Sequence, residues 1–244
     1  FNLWFTIAVP PGRDLQEEVA VLAEHVRAES CRPLPTLRLF KIGVHFDLAG
    51  EGSDGPAQTA APAPAPTTAP AEPLGADLRQ VVAVLQRHLP LVERPFAALA
   101  AEAPGAPLDE GQLLAAGEKL KREGYMRRYA AVLHHRRAGF SANGMGVWIV
   151  PEEQGEEVGL VMASYPAVSH CYQRPSYPDW PYTHFTMIHG TSQADCEEVA
   201  AAISQRTGLT DYRLLYSDIE HKKVRVRYFT EDDEFDPRSL PFVE

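Results

Sequence analysis

Apolar positions along the chain change their spacing several times, and this spacing predicts the order of helices and strands. Three segments show helical spacing, namely residues 77–88, 94–103 and 109–123. Strands and helices then alternate: strand 144–150, helix 153–164, strands 168–174 and 182–188, helix 193–205, and a last strand over 212–228. Three short helices followed by a strand pair are typical of a winged helix-turn-helix. The later β-α-β-β-α-β order is that of a ferredoxin-like domain.

A shorter stretch of similar pattern comes first. It predicts a strand over residues 1–9, a helix over 14–28 and a strand over 37–48. In residues 51–75, Pro and Ala alternate with small polar residues, a composition that predicts a flexible linker. We therefore predict an α+β chain of four parts. They are residues 1–50, the C-terminal part of a first ferredoxin-like domain; 51–75, the linker; 76–137, the winged helix-turn-helix; and 138–244, a second ferredoxin-like domain.

An internal repeat relates the two ends of the chain. Phe5-Thr6 matches Phe185-Thr186, 180 residues later, and Glu17-Glu18-Val19-Ala20 matches Glu197-Glu198-Val199-Ala200 at the same offset. We therefore interpret residues 1–50 as the tail of a second homologous copy, here called the N-terminal copy. We expect the rest of it to stand before Phe1 and its sheet to be a partner of residues 76–244.

Charge and cysteine usage exclude several classes of protein. The formal net charge of −10 disfavours DNA or RNA as a partner, because covering phosphates requires clustered Lys and Arg. Three cysteines without a CxxC pair indicate neither a disulfide framework nor a zinc ribbon. No apolar run approaches the ~18 residues of a membrane span. We expect a cytoplasmic protein that needs no membrane.

Three sequence motifs carry a family resemblance. They are RRYAAVLHHRRAGFSANGMGVWIVP (127–151), VSHCYQRP (168–175) and WPYTHFTMIHG (180–190). Together they resemble the siroheme decarboxylases of heme d1 and alternative heme biosynthesis, which share the architecture of the Lrp/AsnC regulators. FNLWFTI and LPTLRLFKIGVHFDL extend the resemblance to residues 1–48. One departure is Thr183-His184, where members of this family often carry Asn-Leu.

The resemblance implies an activity. A carboxy-lyase of this kind removes the carboxyl groups of two acetate side chains of siroheme and gives didecarboxysiroheme. The macrocycle can act as its own electron sink, so we expect no added cofactor and no metal site. The resemblance also implies a fused two-copy chain, with a homo-oligomer and other heme-biosynthesis proteins as possible partners.

Candidate site residues follow from strand alternation, since residues two apart share a face. His170, Tyr172 and Arg174 share one face of their strand, and His134 and Arg136 share one face of the wing. Arginine suits carboxylate capture, and histidine or tyrosine can deliver a proton. We assign catalytic roles to His134, His170 and Tyr172, and substrate-binding roles to Arg128, Arg136, Arg174, His184 and His189. By pattern alone a solvated strand face is the favoured interpretation of these residues, and only the family resemblance reverses that preference.

Two other functions stay open. The first is a DNA-binding regulator of the Lrp/AsnC type. The third helix disfavours it, because Asp109 and Glu110 open that helix and its basic residues stand at the far end. The second is a heme-binding protein without turnover, for which the same histidines would ligate iron.

Overall fold

The computed structural model describes residues 1–9, 12–43, 72–103, 108–126, 129, 142–222 and 227–229. The chain forms two compact units. The first consists of Phe1–Pro33, Thr67–Ala130 and Lys222–Glu244, and the second of Leu34–Pro66 and Ala131–His221. Within the described ranges, no helix is both long and apolar enough to cross a membrane.

Helices dominate the first unit. They are α1 (Leu15–His25), α2 (Ala76–Leu85), α3 (Pro95–Ala101) and α4 (Glu110–Arg122). Asp14 caps α1, and Asp109 forms a capping box with Gln112 at the start of α4, which satisfies backbone N–H groups that a helix leaves unpaired. All four predicted helices are confirmed. At the start of α2 the cap is Gly75, and the acidic Asp77 lies inside the first turn.

One apolar cluster holds α2, α3 and α4 together. Its buried members are Val81, Val84, Leu85, Leu99, Ala100, Leu113 and Leu120. They recur at helical spacing, so each helix turns one apolar stripe toward the other two. The wing predicted for 127–137 lies outside the described residues apart from Tyr129.

A five-stranded antiparallel sheet forms the second unit. Its strands are β1 (Arg38–Ile42), β2 (Ala142–Trp148), β3 (Val168–Gln173), β4 (His184–Gly190) and β5 (Tyr212–Tyr216), in the spatial order β1-β3-β4-β2-β5. Helices α5 (Gly155–Ser164) and α6 (Gln193–Thr207) connect β2 to β3 and β4 to β5. The predicted β-α-β-β-α-β order is therefore confirmed for β2 to β5.

The helices cover one face of this sheet, which we call the helix-covered face. Its core includes Trp148, Met162, Cys171, Ile188 and Ile203. The opposite face, which we call the open face, carries a smaller apolar cluster built on Val147, Trp180 and Phe185.

β1 adds the fifth strand. This segment lies before the predicted linker, yet it pairs with β3 at the edge of the sheet, with Leu39 opposite Tyr172. Phe40 enters the helix-covered core and is only 4% exposed. Its ring lies where a Cβ on Gly159 of α5 would stand. The segment from Arg38 to Ile42 is thus an integral part of the later domain.

Two predicted strands differ from the structure. Residues 1–9 form no strand, and Phe1, Leu3 and Phe5 stay about half exposed. The pattern is strand-forming, but a strand also needs a neighbouring strand, and the five described strands of the sheet do not include this segment. β5 ends at Tyr216 instead of near residue 228, because Ser217 and Asp218 favour turns. Residues 44–71, which include most of the predicted linker, lie outside the described residues.

Phe40→Ala tests whether β1 belongs to the core. We expect the free energy of unfolding of the second unit to fall by about 3 to 5 kcal/mol, because the substitution empties a buried aromatic site. Urea titration followed by circular dichroism measures this change. Leu37→Ala is the control: that side chain is 61% exposed, so its effect should stay within about 0.5 kcal/mol. Equal effects of the two substitutions would contradict the placement of β1.

Candidate functional site

Three predicted site residues stand in a row on the open face. The rings of His170 and Tyr172 are stacked with centroids 6.0 Å apart, and the Cζ of Arg174 lies 4.8 Å from the centroid of the Tyr172 ring. Alternate residues of β3 supply this row, which is the arrangement that strand periodicity predicts. An imidazole, a phenol and a guanidinium are thus side by side on one strand.

Arg174 is held in place by aromatic rings and a backbone carbonyl. Its guanidinium lies over Tyr172 and, at 5.6 Å, over the ring of Phe185. Its Nη1 donates a hydrogen bond to the carbonyl oxygen of Leu34, a residue that precedes β1. Burial lowers the pKa of Arg174 from its ordinary value, and Tyr172 acts in the opposite direction. A guanidinium has five N–H donors, so the bond to Leu34 leaves it the means to bind a carboxylate.

A hydrogen-bonded chain runs from His170 across β4 to β2. The hydroxyl oxygen of Ser169 lies 2.7 Å from Nδ1 of His170 and 2.6 Å from Nε2 of His189. On its other side, Nδ1 of His189 is hydrogen-bonded to the carbonyl oxygen of the Asn143 side chain. Two of the predicted histidines are therefore joined through one serine.

Sequence reasoning missed Ser169 and Asn143. Strict alternation places Ser169 on the face opposite His170. A register shift between Val168 and His170 breaks that alternation and brings the Ser169 hydroxyl to both imidazoles, as β-bulges do. Nothing in the sequence marks the bulge. Asn143 could have been found only from the pairing register, in which it stands opposite His189.

His184 lies apart from this group. It is 1% exposed on the helix-covered face, its Nε2 lies 2.9 Å from the carbonyl oxygen of Gly155, and its ring stacks on Phe40. The substrate-binding role that we expected for it does not fit this placement, because α5 separates the ring from solvent. The position suits the leucine that the resembled family often has there.

Cys171 also faces the helices. It is fully buried, and burial raises the pKa of its thiol well above the ordinary value, with Lys41 acting in the opposite direction. A thiol that is neutral at physiological pH is a poor nucleophile. Cys171 is therefore a packing residue of the helix-covered core.

Three further candidates, Arg128, His134 and Arg136, lie outside the described residues, and their roles stay predictions. In the part of the chain that the structure describes, no group of three His, Cys, Asp or Glu side chains could hold a metal ion.

Helix α4 corresponds to the recognition helix of a DNA-binding helix-turn-helix. Its N-terminal end, which in such a protein contacts the bases, is acidic. Asp109 is engaged in the capping box, and Glu110 is paired with Arg94. At the other end, Lys119 lies 4.0 Å from Glu123, and Lys121 lies 3.6 Å from Glu118. These pairs reduce the positive charge available to phosphates, which disfavours the regulator alternative.

Two family models match the part of the chain that follows the predicted linker. Residues 79–127 match a model described as the siroheme decarboxylase NirDL-like helix-turn-helix domain. Residues 137–222 match a model described as the AsnC-like ligand binding domain.

Individual relatives extend this similarity over nearly the whole chain. A siroheme decarboxylase of Hydrogenobacter thermophilus is 42% identical over 96% of this chain and 67% of its own length. A siroheme decarboxylase beta subunit of Methanosarcina barkeri is 44% identical over 61% of this chain and 95% of its own length.

Solved structures agree with these relatives. The crystal structure of the siroheme decarboxylase NirDL superposes with a TM-score of 0.65 at 36% identity, covering 98% of this chain and 65% of that one. A second crystal structure of NirDL, in complex with an iron-uroporphyrin III analogue, gives a TM-score of 0.62 at 34% identity. The chain thus spans about two thirds of the length of these longer relatives.

His184 should make stability depend on pH. Burial lowers the pKa of its imidazole, and the hydrogen bond to Gly155 offsets this only in part. The contribution of the neutral ring is therefore complete above the unfolded value of about 6.5 and is lost as the pH falls from there toward the lower folded value. We expect the free energy of unfolding to fall less steeply between pH 7.5 and 5.5 in His184→Gln than in the unmodified chain. Denaturant titrations at several pH values measure this, and parallel curves would contradict it.

Proposed function

The chain belongs to the siroheme decarboxylase family, and from this premise we propose that its substrate is siroheme. In this proposal it removes the carboxyl groups of two acetate side chains as carbon dioxide and gives didecarboxysiroheme. The observation that carries the proposal is the row of His170, Tyr172 and Arg174 on the open face. It combines an acid, a phenol and a carboxylate-binding cation on one strand.

The open face suits a flat substrate with carboxylates at its rim. Siroheme is an iron macrocycle carrying eight carboxylates, so its site needs apolar surface flanked by cations and hydrogen-bond donors. Met145 and Leu215 supply partly exposed apolar surface on this face, and the Arg174 guanidinium lies over the buried ring of Phe185. The iron-uroporphyrin III analogue in the NirDL complex is also an iron macrocycle, which supports this choice of substrate class.

Arg174 binds a substrate carboxylate in this proposal. Its planar fork can donate two parallel hydrogen bonds, and it stays charged at working pH despite the lowering of its pKa by burial. The rings beneath it and the Leu34 carbonyl fix its position, so little side-chain entropy is lost on binding.

His170 acts as the proton donor. Breaking the bond between the acetate methylene and its carboxylate releases carbon dioxide and leaves the electron pair on the methylene carbon, delocalised into the macrocycle. His170 in its imidazolium form transfers a proton to that carbon, which becomes a methyl group. Water then restores the proton to His170, so each acetate consumes one proton from solvent. The Tyr172 phenol, stacked against His170, is the second candidate donor.

We propose no added cofactor, because the macrocycle accepts the electron pair. The homologous N-terminal copy is the proposed partner, and the contact of Leu34 with Arg174 supports a shared site. All three cysteines are free thiols, which supports the cytoplasm as the compartment.

Anaerobic incubation with siroheme tests the proposed activity. We expect the mass of the tetrapyrrole to fall by two carboxyl groups, each replaced by hydrogen, and we expect this to persist after dialysis against a chelator. Mass spectrometry of the extracted pigment measures the change. Bound siroheme of unchanged mass would instead indicate the heme-binding alternative without turnover.

Substitutions in the row separate binding from chemistry. Arg174→Ala should weaken siroheme binding by about 2 to 5 kcal/mol, because it leaves a substrate carboxylate without its partner. His170→Ala should bind siroheme nearly normally and turn over about a hundredfold more slowly. Absorbance titration gives the affinity and single-turnover assays give the rate. Arg206→Ala, an exposed arginine on α6, is the control for loss of charge and should change neither. If Arg174→Ala and His170→Ala changed affinity and rate as little as the Arg206→Ala control does, the site would lie elsewhere.

A further inference from the structure

We propose that Ser169 is a positioning residue that fixes which nitrogen of His170 carries the proton. In this arrangement the neutral His170 ring is protonated at Nδ1, and Nε2 is the atom that exchanges a proton with the substrate. The tautomer follows from the hydrogen bonds around Ser169. Only the assignment of Nε2 to the reaction rests on the proposed function.

The serine hydroxyl constrains the two imidazoles because it has a single hydrogen. Its oxygen lies within hydrogen-bond distance of His170 Nδ1, at 2.7 Å, and of His189 Nε2, at 2.6 Å. The hydroxyl can donate to only one of these nitrogens and can accept from the other. At least one of the two nitrogens must therefore carry a hydrogen.

Asn143 decides which groups donate and which accept in the hydrogen-bonded chain from His170 to Asn143. Its side-chain carbonyl oxygen faces Nδ1 of His189, and an oxygen of this kind only accepts, so His189 carries its hydrogen on Nδ1. Nε2 of the neutral His189 ring then bears a lone pair and accepts from the Ser169 hydroxyl. The Ser169 oxygen in turn accepts from His170, which must be protonated at Nδ1.

The other neighbour of the hydroxyl does not reverse this order. The carbonyl oxygen of Met187 lies 3.4 Å from the Ser169 oxygen, much farther than either imidazole, so its hydrogen bond is the weakest of the three. A hydroxyl hydrogen aimed at Met187 would leave two lone pairs facing each other between Ser169 and His189. His170 would still have to donate.

The hydrogen-bonded chain from His170 to Asn143 is held firmly enough to fix the tautomer of His170. Ser169 is 2% exposed, and its position is set by the bulge in β3. Asn143 and His189 are directly opposite in the pairing of β2 with β4. Each link therefore lies on a central strand of the sheet, and the backbone pairing keeps the three side chains adjacent.

The tautomer has a consequence for proton transfer. The imidazolium form of His170 carries hydrogens on both nitrogens, and loss of the one on Nε2 leaves the Nδ1–H form. This is the form that Ser169 stabilises by accepting its hydrogen bond. Ser169 therefore favours the state of His170 that follows proton donation, without touching the substrate.

Nitrogen NMR on the full chain labelled with ¹⁵N-histidine tests the proposal in the absence of substrate. At a pH where the rings are neutral, we expect the His170 signals to show the Nδ1–H pattern. His170→Gln identifies these signals by their loss. In Ser169→Ala we expect His170 to shift toward the Nε2–H form that histidine prefers in water. A wild-type His170 in the Nε2–H form, or a tautomer unchanged in Ser169→Ala, would overturn the proposal.

Variants of Asn143 test the direction of the chain separately. Asn143→Asp retains an accepting oxygen and should keep the His170 tautomer, whereas Asn143→Ala should relax it. Ser164→Ala is the matched control, because it removes a serine hydroxyl that donates to the Val161 carbonyl on α5, and it should leave the His170 signals unchanged. Failure of Asn143→Asp to keep the tautomer would also count against the proposal.

Kinetics links the tautomer to the reaction. If siroheme is decarboxylated, Ser169→Ala should lower kcat roughly tenfold with KM nearly unchanged, and Ser169→Thr, which restores the hydroxyl, should recover most of the rate. An unchanged kcat in Ser169→Ala would contradict the role in proton transfer. Because the NMR measurement needs no substrate, an inactive wild-type chain would refute the proposed function and leave the tautomer result standing.

Discussion

The backbone pairing of β1 with β3 is the interaction on which the rest of the second unit depends. It closes the exposed edge of the strand that carries His170, Tyr172 and Arg174, and it brings the Leu34 carbonyl to the Arg174 guanidinium. The pairing is possible because position 159 is glycine: any side chain there would occupy the space of the Phe40 ring. A single missing Cβ on α5 thus allows a segment from before the predicted linker to complete the later domain.

The two faces of the sheet divide the polar residues by role. On the helix-covered face, His184 and Cys171 are buried. Burial lowers the pKa of the His184 imidazole and raises the pKa of the Cys171 thiol, so both groups are favoured in their neutral forms. On the open face, His170 and His189 are linked through the Ser169 hydroxyl, and the Tyr172 ring lies between His170 and the Arg174 guanidinium. Histidines of the same sheet are therefore used for packing on one side and for proton chemistry, as we propose, on the other. The acidic start of α4 fits a helix-turn-helix that keeps its architecture without favouring DNA.

Periodicity predicted the parts of the structure that depend on local spacing. The helices, strands β2 to β4, and the shared face of His170, Tyr172 and Arg174 all follow from positions 3.6 or 2 residues apart. It could not predict Ser169, because a bulge interrupts the alternation, or the absence of a strand over residues 1–9, because pairing requires a neighbour that local pattern does not reveal. Alternation along β4 puts His184 and His189 on different faces, but only the structure showed that α5 covers the face of His184.

The position of β1 in the chain also affects how the protein is made. Leu34 and its partner Arg174 are 140 residues apart in sequence, so β1 leaves the ribosome long before β3 exists. At typical rates of synthesis this wait is on the order of ten seconds, during which Phe40 has no core to enter. Pairing over such a distance raises contact order and slows folding. The nascent chain therefore exposes an apolar strand until α5 and β3 have been made.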